Sequence, residues 1–70
     1  MIFFDASIYP EAAVRQACAD YREIADIRAD KAPGGLRCEI RNPQGDPVLI
    51  ADEFCNYVLN LAVAMGGTKS

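Results

Sequence analysis

The chain opens with apolar residues at every second position over residues 2–8, a period of two that is typical of a strand with one buried face. The residues expected on that buried face are Ile2, Phe4, Ala6 and Ile8. Tyr9-Pro10-Glu11 then favours the start of a helix, because proline is tolerated in the first helical turn and the helix dipole stabilises a carboxylate there. Helical spacing predicts the buried side of this helix as Val14, Ala17, Cys18 and Tyr21. We expect the helix to end between Tyr21 and Ile24.

Residues 26–41 predict a β-hairpin folded about Ala32-Pro33-Gly34-Gly35, in which proline suits the second turn position and glycine the third. Folding about this turn places opposite charges across from each other on one face, in the pairs Asp30–Arg37, Arg28–Glu39 and Asp26–Arg41. The other face carries the pairs Ala29–Cys38 and Ile27–Ile40. A shift of one residue would send the apolar set into water, so the pattern specifies the register. Each opposed charge pair is worth about 0.2–1 kcal/mol.

A second helix is predicted from about Ile50 to Met65, after a turn at residues 42–47 that is rich in proline and glycine. Its expected core face consists of Ala51, Phe54, Cys55, Val58, Leu61, Ala62 and Met65. Asp52 and Glu53 are expected in the first turn, where the helix dipole favours acids. Gly66-Gly67 is expected to end the helix.

The order strand, helix, strand, strand, helix predicts an α+β fold: a two-layer β-α-β-β-α domain with a three-stranded sheet and two helices on one face. We expect a single domain over residues 1–67 and a frayed C-terminal tail at 68–70. A strand order of 1-3-2, as in half of a ferredoxin-like fold, fits the chain. The orders 1-2-3 and 2-1-3 fit it as well.

Composition removes several classes of function. Ten acidic against seven basic residues give a net charge of −3, which disfavours nucleic acid as a partner. Histidine is absent and no Cys-x-x-Cys pair occurs, so we expect no metal and no cofactor. The N-terminus lacks the pattern of a secretory signal, and the longest apolar run, residues 61–65, is too short to cross a bilayer. These features predict a cytoplasmic protein with reduced thiols and no membrane contact.

Candidate catalytic groups are few. Cys18, Cys38 and Cys55 fall on predicted apolar faces, where we expect inert thiols with raised pKa values. Asp52 and Glu53 are adjacent on a helix, so their side chains diverge by about 100° and do not form a carboxylate pair. Asp5 and Ser7 share the outer face of the first strand, where a ligand or water would meet them. The residues therefore predict a protein that is not an enzyme.

The second helix carries more apolar surface than one buried face requires. Tyr57 flanks the core stripe on one side, and Leu59 and Val63 flank it on the other. The candidate partner surface consists of Asn56, Tyr57, Leu59, Asn60 and Val63. Because a domain of this size has a thin core, we expect another protein to cover this surface. The open edges of the sheet could also bind a peptide as an added strand.

Two segments resemble a known family. Residues 5–21, Asp-Ala-Ser-Ile-Tyr-Pro-Glu-Ala-Ala-Val-Arg-Gln-Ala-Cys-Ala-Asp-Tyr, are similar to the opening of the small HxsD-like proteins of His-Xaa-Ser systems. Residues 50–60, Ile-Ala-Asp-Glu-Phe-Cys-Asn-Tyr-Val-Leu-Asn, resemble that family's C-terminal helix. This chain departs from the family at the end of the helix, which becomes apolar at 61–65 instead of continuing into a charged tail.

The resemblance implies a non-catalytic accessory role beside radical S-adenosylmethionine enzymes that modify peptides, in which the small bacterial protein holds the peptide or the enzyme. The family pattern supplies no catalytic residues to transfer. The alternative is a structural protein that self-associates as a homodimer through the helix at residues 50–65. A third hypothesis, a thiol enzyme or redox sensor, is tested by thiol reactivity.

Overall fold

The computed structural model describes residues 2–65, which form a three-stranded antiparallel sheet and two helices. In chain order the elements are β1 (Ile2–Asp5), α1 (Glu11–Asp20), β2 (Asp26–Ala32), β3 (Gly35–Arg41) and α2 (Pro47–Ala64). The strand order is β1-β3-β2, so the small α+β fold is confirmed and one of the three orders is selected. The expected helix stop at Gly66-Gly67 and the expected tail at 68–70 lie outside the described residues.

The hairpin of β2 and β3 has the register that the charge pattern predicts, with Asp30 opposite Arg37 and Ile27 opposite Ile40. The ion pairs on its outer face run along the strands, however. Arg28 contacts Asp30 at 3.2 Å, and a 3.1 Å ion pair joins Arg41 to Glu39. Residues two apart on one strand share a face, and the long arginine side chain spans that spacing. The charged residues therefore lie opposite one another in the predicted register, while the ionic contacts between them lie within each strand.

Two glycines permit the turn and the sheet. Gly34 occupies the third position of the turn and has a φ of 84°. A residue with a side chain would be strained in this backbone conformation, whereas glycine adopts it freely. Gly35 lies opposite Asp5 in the β1–β3 pairing, and a Cβ atom there would overlap the backbone carbonyl of Phe4. Because only glycine leaves room for this approach, the N-terminal strand pairs closely with β3.

β1 ends at Asp5, three residues before the alternation predicts. The Asp5 carboxylate accepts hydrogen bonds from the Ser7 N–H at 2.9 Å and the Ser7 hydroxyl at 2.7 Å. The Asp5 carbonyl accepts from the N–H groups of Ile8 and Tyr9. This aspartate-centred turn replaces strand pairing, since short polar side chains compete for backbone groups. The expected burial of Ala6 and Ile8 is therefore wrong: both are exposed.

The predicted limits of both helices shift slightly. α1 follows an extended Pro10, ends at Asp20 and buries Ala13 in addition to the predicted Val14 and Ala17. α2 begins at Pro47, three residues earlier than expected, because the Asp46 carboxylate accepts from the Val48 N–H at 2.9 Å and caps the helix.

The earlier start changes the positions along α2. Asp52 and Glu53 lie beyond its first turn, so their predicted place there is wrong. The buried residues of the helix are Ile50, Phe54, Val58 and Ala62. Met65, expected in the core, is 48% exposed at the end of the helix.

The core lies between the two helices and one face of the sheet. Phe54 of α2 is completely buried at its centre, with the ring of Phe4 at 5.9 Å and that of Tyr21 at 5.4 Å, both edge-on. Leu36 and Cys38 line the same core from β3. The aromatic contacts tie β1, the end of α1 and the middle of α2 into one unit.

Candidate protein-binding site

The side of α2 that faces away from the core carries exposed apolar residues near both of its ends. We define the α2 outer face by its exposed residues Val48, Leu49, Asn56, Leu59, Asn60 and Val63. The exposed fraction is 67% for Val48, 40% for Leu59 and 58% for Val63. At 1.5 Å per residue, the face extends for about 22 Å from Val48 to Val63. Four of the five residues predicted as a partner surface lie on it.

Helical periodicity explains why these residues lie outside the core. The buried residues of α2 recur every four positions and therefore follow one side of the helix. Val48, Leu59 and Val63 project from another side, within about 60° of one another at 100° per residue. Packing within residues 2–65 leaves this side uncovered, as the exposures show.

Tyr57, the fifth predicted residue, lies elsewhere. Its hydroxyl donates a hydrogen bond to the Asp20 carboxylate of α1, and its ring packs against Tyr21 with centroids 5.4 Å apart. The hydrogen bond to Asp20 raises the pKa of Tyr57, because the bond requires the protonated phenol. Tyr57 joins the two helices from the flank of the core stripe opposite to Leu59, and its place in a partner surface stays a prediction.

The charge on α2 is entirely acidic. Asp52 and Glu53 are its ionisable carboxylates, and the helix contains no lysine or arginine. Asp52 is four residues from Val48 and seven from Leu59, so it lies within the apolar stripe of the outer face. A complementary surface therefore needs apolar side chains together with a cation near Asp52.

The sequence pattern missed the first turn of this surface. The predicted helix begins at about Ile50, so Val48 and Leu49 fall between it and the predicted turn at 42–47. The available signal was Asp46-Pro47, an N-cap residue followed by proline at the first helical position. Recognising that signal would have extended the apolar face by one turn.

α2 also has the length and apolar character of a membrane-crossing helix. A core helix meets the same criteria, and α2 buries Phe54 and Val58 completely against the rest of the domain.

Several exposed polar side chains within residues 2–65 pair with one another. A shallow cleft of about 290 Å³ lies between the start of α1 and the hairpin turn, with Glu11 and Lys31 on its walls. Glu11 pairs with Arg15 at 2.7 Å and with Lys31 at 3.9 Å, and hydrogen bonding to Arg15 lowers the pKa of Glu11. Asp5, suggested earlier as facing a ligand, is bound to Ser7, which lowers its pKa.

The three thiols differ from one another. Cys38 is buried, whereas Cys18 and Cys55 are half-buried. Hydrogen bonding to Cys18 and burial raise the pKa of Cys38, and burial raises that of Cys55. Hydrogen bonding to Cys38 lowers the pKa of Cys18, so the expectation of three raised values is wrong for this thiol. Within residues 2–65, no three Cys, Asp or Glu side chains are placed to hold a metal ion.

No protein-family model matches the chain, and no match was found among curated proteins or solved structures. The likeness to HxsD-like proteins therefore stays a prediction from residues 5–21 and 50–60.

Proposed function

We propose that this chain is a non-catalytic module that binds a protein partner through the α2 outer face. The observation that supports it is the exposure of Val48, Leu49, Leu59 and Val63 on one helix. Val48 and Leu49 lie at the start of the helix, and Leu59 and Val63 lie one turn apart near its end. Exposed apolar patches on small soluble domains mark interaction surfaces. Covering them contributes about 25 cal/mol for each Å² of apolar surface removed from water.

The acidic residues favour a different protein over a second copy as the partner. Asp52 lies within the apolar stripe, and a second α2 brings no lysine or arginine to meet it. A carboxylate buried without a partner is costly, so a copy of the same helix must leave Asp52 near the edge of the contact. A partner helix or strand that combines apolar residues with one basic residue satisfies the whole face.

The second candidate function is self-association as a homodimer. Asn56 and Asn60 supply both donors and acceptors, so the same side chains meet across a two-fold axis without an unpaired group. In that arrangement the contact centres on Asn56, Leu59, Asn60 and Val63, and Asp52 faces water at the rim.

The identity of the partner is proposed from the resemblance. HxsD-like proteins are encoded beside radical S-adenosylmethionine enzymes, so the proposed partner is such an enzyme or its precursor peptide. In this role the module holds one component for the other and performs no chemistry itself.

The test is the double variant Leu59→Lys/Val63→Lys, with Ile8→Lys/Ile24→Lys as its matched control. Ile8 and Ile24 are 46% and 40% exposed and lie off α2, so the control adds the same charge to comparable apolar sites. Circular dichroism first establishes that both variants are folded. Binding to the proteins encoded beside this chain is then measured by calorimetry, and self-association by light scattering.

We expect the α2 variant to lose binding while the control retains it. Loss of dimer mass in the α2 variant alone supports the homodimer instead. A wild-type chain that stays monomeric and binds none of the neighbouring proteins contradicts both functions. Equal loss in both variants also contradicts them, because the effect is then one of charge and not of the α2 outer face.

A further inference from the structure

β2 forms one edge of the sheet, since the strand order over residues 2–65 is β1-β3-β2. The direction of its backbone groups follows from β3. The Gly34 carbonyl accepts a hydrogen bond from the Ala6 N–H at 2.9 Å and so points to the β1 side. Across the planar peptide, the Gly35 N–H points the opposite way, toward Ala32 of β2. Ala32 and Gly35 therefore form a hydrogen-bonded pair at the end of the hairpin.

The backbone groups of β2 alternate between β3 and the open edge from that pair onward. The residues whose groups point to β3 are Ala32, Asp30, Arg28 and Asp26. Those whose groups point to the open edge are Lys31, Ala29 and Ile27. Among the hydrogen bonds outside the helices and strands of residues 2–65, none involves the backbone of these three. The edge is therefore able to pair with another strand.

The side chains of β2 differ between the two faces of the sheet. On the outer face Asp26, Arg28 and Asp30 are exposed, and Arg28 contacts Asp30 at 3.2 Å. On the helix side Ile27 is buried and Ala29 is half-buried. An added strand must therefore match charges of alternating sign on one face and small or apolar residues on the other.

The charge pattern shows which alignment of a second β2 strand fits this edge. In an antiparallel pair with two-fold symmetry, opposed residues share a face and the axis passes through one residue of the strand. An axis through Arg28 sets the two Arg28 side chains opposite each other, and an axis through Asp30 does the same with the two aspartates. An axis through Ala29 instead opposes Arg28 of each copy to Asp30 of the other.

The Ala29 axis also gives the longest overlap. Ala29 is the central residue of the seven in β2, so both strands overlap over their whole length. The three residues that face the open edge then pair with one another, since Ile27 lies opposite Lys31 and Ala29 opposite Ala29. An axis through Ile27 opposes Arg28 to Asp26, but only residues 26–28 of each strand overlap.

We propose that the β2 edge binds a second copy of this chain about the Ala29 axis, which joins two three-stranded sheets into one antiparallel sheet of six strands. Backbone hydrogen bonds hold the two strands together, and the opposed charges select the register. Each Arg28 keeps Asp30 of its own strand and gains Asp30 of the second copy, so four charges alternate in sign around the axis.

Lys31 is compatible with this pairing. Its side chain is 78% exposed and its ammonium group lies 3.9 Å from Glu11. The stem of the lysine covers Ile27 of the second copy, while its charged end stays in water. The contact is one strand wide, which is small for a protein interface, so the self-association is weak. It is independent of the α2 outer face, because α1 is the helix that packs against β2.

The first test is analytical ultracentrifugation of the chain from about 10 μM to about 1 mM, the range of weak contacts. We expect dimer to replace monomer as the concentration rises. Arg28→Glu and Asp30→Lys each set like charges opposite each other, so each variant alone should raise the dissociation constant at least about tenfold. An equimolar mixture of the two variants should restore the dimer, because the two exchanged charges then face each other.

Arg41→Glu is the matched control. It makes the same change of charge on the outer face of the sheet, but on the central strand β3, and should leave the dimer intact. Circular dichroism establishes that all variants are folded. Amide exchange by NMR tests the wild type without any substitution. The amides of Ile27, Ala29 and Lys31 should exchange more slowly at high concentration, whereas those of Arg28 and Asp30, bonded to β3 already, should change little.

Four results overturn the proposal. A wild-type chain that is monomeric up to the highest concentration excludes the dimer, and a mixture of variants that fails to restore it excludes the opposed charges. Self-association that survives Asp30→Lys but not Arg28→Glu excludes the Ala29 axis. Self-association that Leu59→Lys/Val63→Lys abolishes and Arg28→Glu leaves intact belongs to the α2 outer face instead of the β2 edge.

Discussion

Phe54 should be the residue whose truncation most weakens this domain. Its side chain is completely buried, and its ring has edge-on aromatic neighbours on two other elements, Phe4 and Tyr21. Replacing a buried phenylalanine with alanine costs about 3–5 kcal/mol, through lost transfer energy and the cavity left behind. A chain of 70 residues has a total stability of about 3.5–10 kcal/mol at the usual contribution per residue. Phe54→Ala should therefore remove at least about a third of the stability, and all of it if the total lies near the lower limit.

The assay is urea unfolding followed by far-UV circular dichroism. We expect the midpoint for Phe54→Ala to fall steeply, and thermal unfolding to shift down by about 12–40 °C at the usual sensitivity for a domain of this size. If the alanine variant is already unfolded without urea, Phe54→Leu gives a measurable value. It should cost about 1–2 kcal/mol, because it keeps most of the volume and loses the two aromatic pairs.

Phe3 provides the matched control. It is the neighbour of Phe4 on β1 but points to the outer face of the sheet and is 50% exposed. Phe3→Ala should cost about 1 kcal/mol, half the value for full burial. A loss below about 1.5 kcal/mol for Phe54→Ala, or equal losses for the two variants, would refute the packing of α2 over the sheet.

Three further predictions follow from the local geometry. Gly35→Ala should strongly destabilise the fold, because the added methyl group would overlap the backbone of β1. Gly45→Ala should be close to neutral, because a methyl group there makes only ordinary contacts. Equal urea midpoints for the two variants would contradict the close packing of β1 against β3. Asp46→Ala should cost about 1 kcal/mol by urea unfolding, because α2 loses its N-cap; an unchanged midpoint would show that the cap does not stabilise the helix. By NMR titration the pKa of Asp5 should lie below 3.8 and should rise in Ser7→Ala. Because the pKa is lowered on folding, the ionised carboxylate stabilises the folded state above the unfolded pKa, and this contribution should disappear as the pH falls through the folded pKa. A value at or above 3.8 would count against the turn.

The hairpin was predictable to the residue because two independent patterns agree there. Charge alternation and apolar alternation along residues 26–41 both specify the same register, and the Pro33-Gly34 turn fixes the point of folding. Elements with only one signal were less well determined. The end of β1 depended on how Asp5 and Ser7 bond to each other, which alternation does not report.

The partner surface and the thiol pair show the limits of periodicity in different ways. Helical spacing correctly grouped Leu59 with Val63, because both positions belong to one helix. The same spacing places Tyr57 on the opposite flank of the core stripe, but it does not report the contact with Asp20, which depends on how α1 and α2 pack. Cys18 and Cys38 are 20 residues apart on different elements, so the lowered pKa of Cys18 depends on tertiary structure that no spacing rule encodes.

The central position of β3 has a consequence for how the chain folds. β2 and β3 are joined by two residues, so their hairpin forms on the microsecond scale, as local contacts do. β1 pairs with the other edge of β3 across the 29 residues from 6 to 34, so this pairing costs more loop-closure entropy than the hairpin does. We therefore expect substitutions in the hairpin to slow folding, and substitutions where β1 meets β3 to accelerate unfolding. The short N-terminal strand thereby governs how long each molecule stays folded.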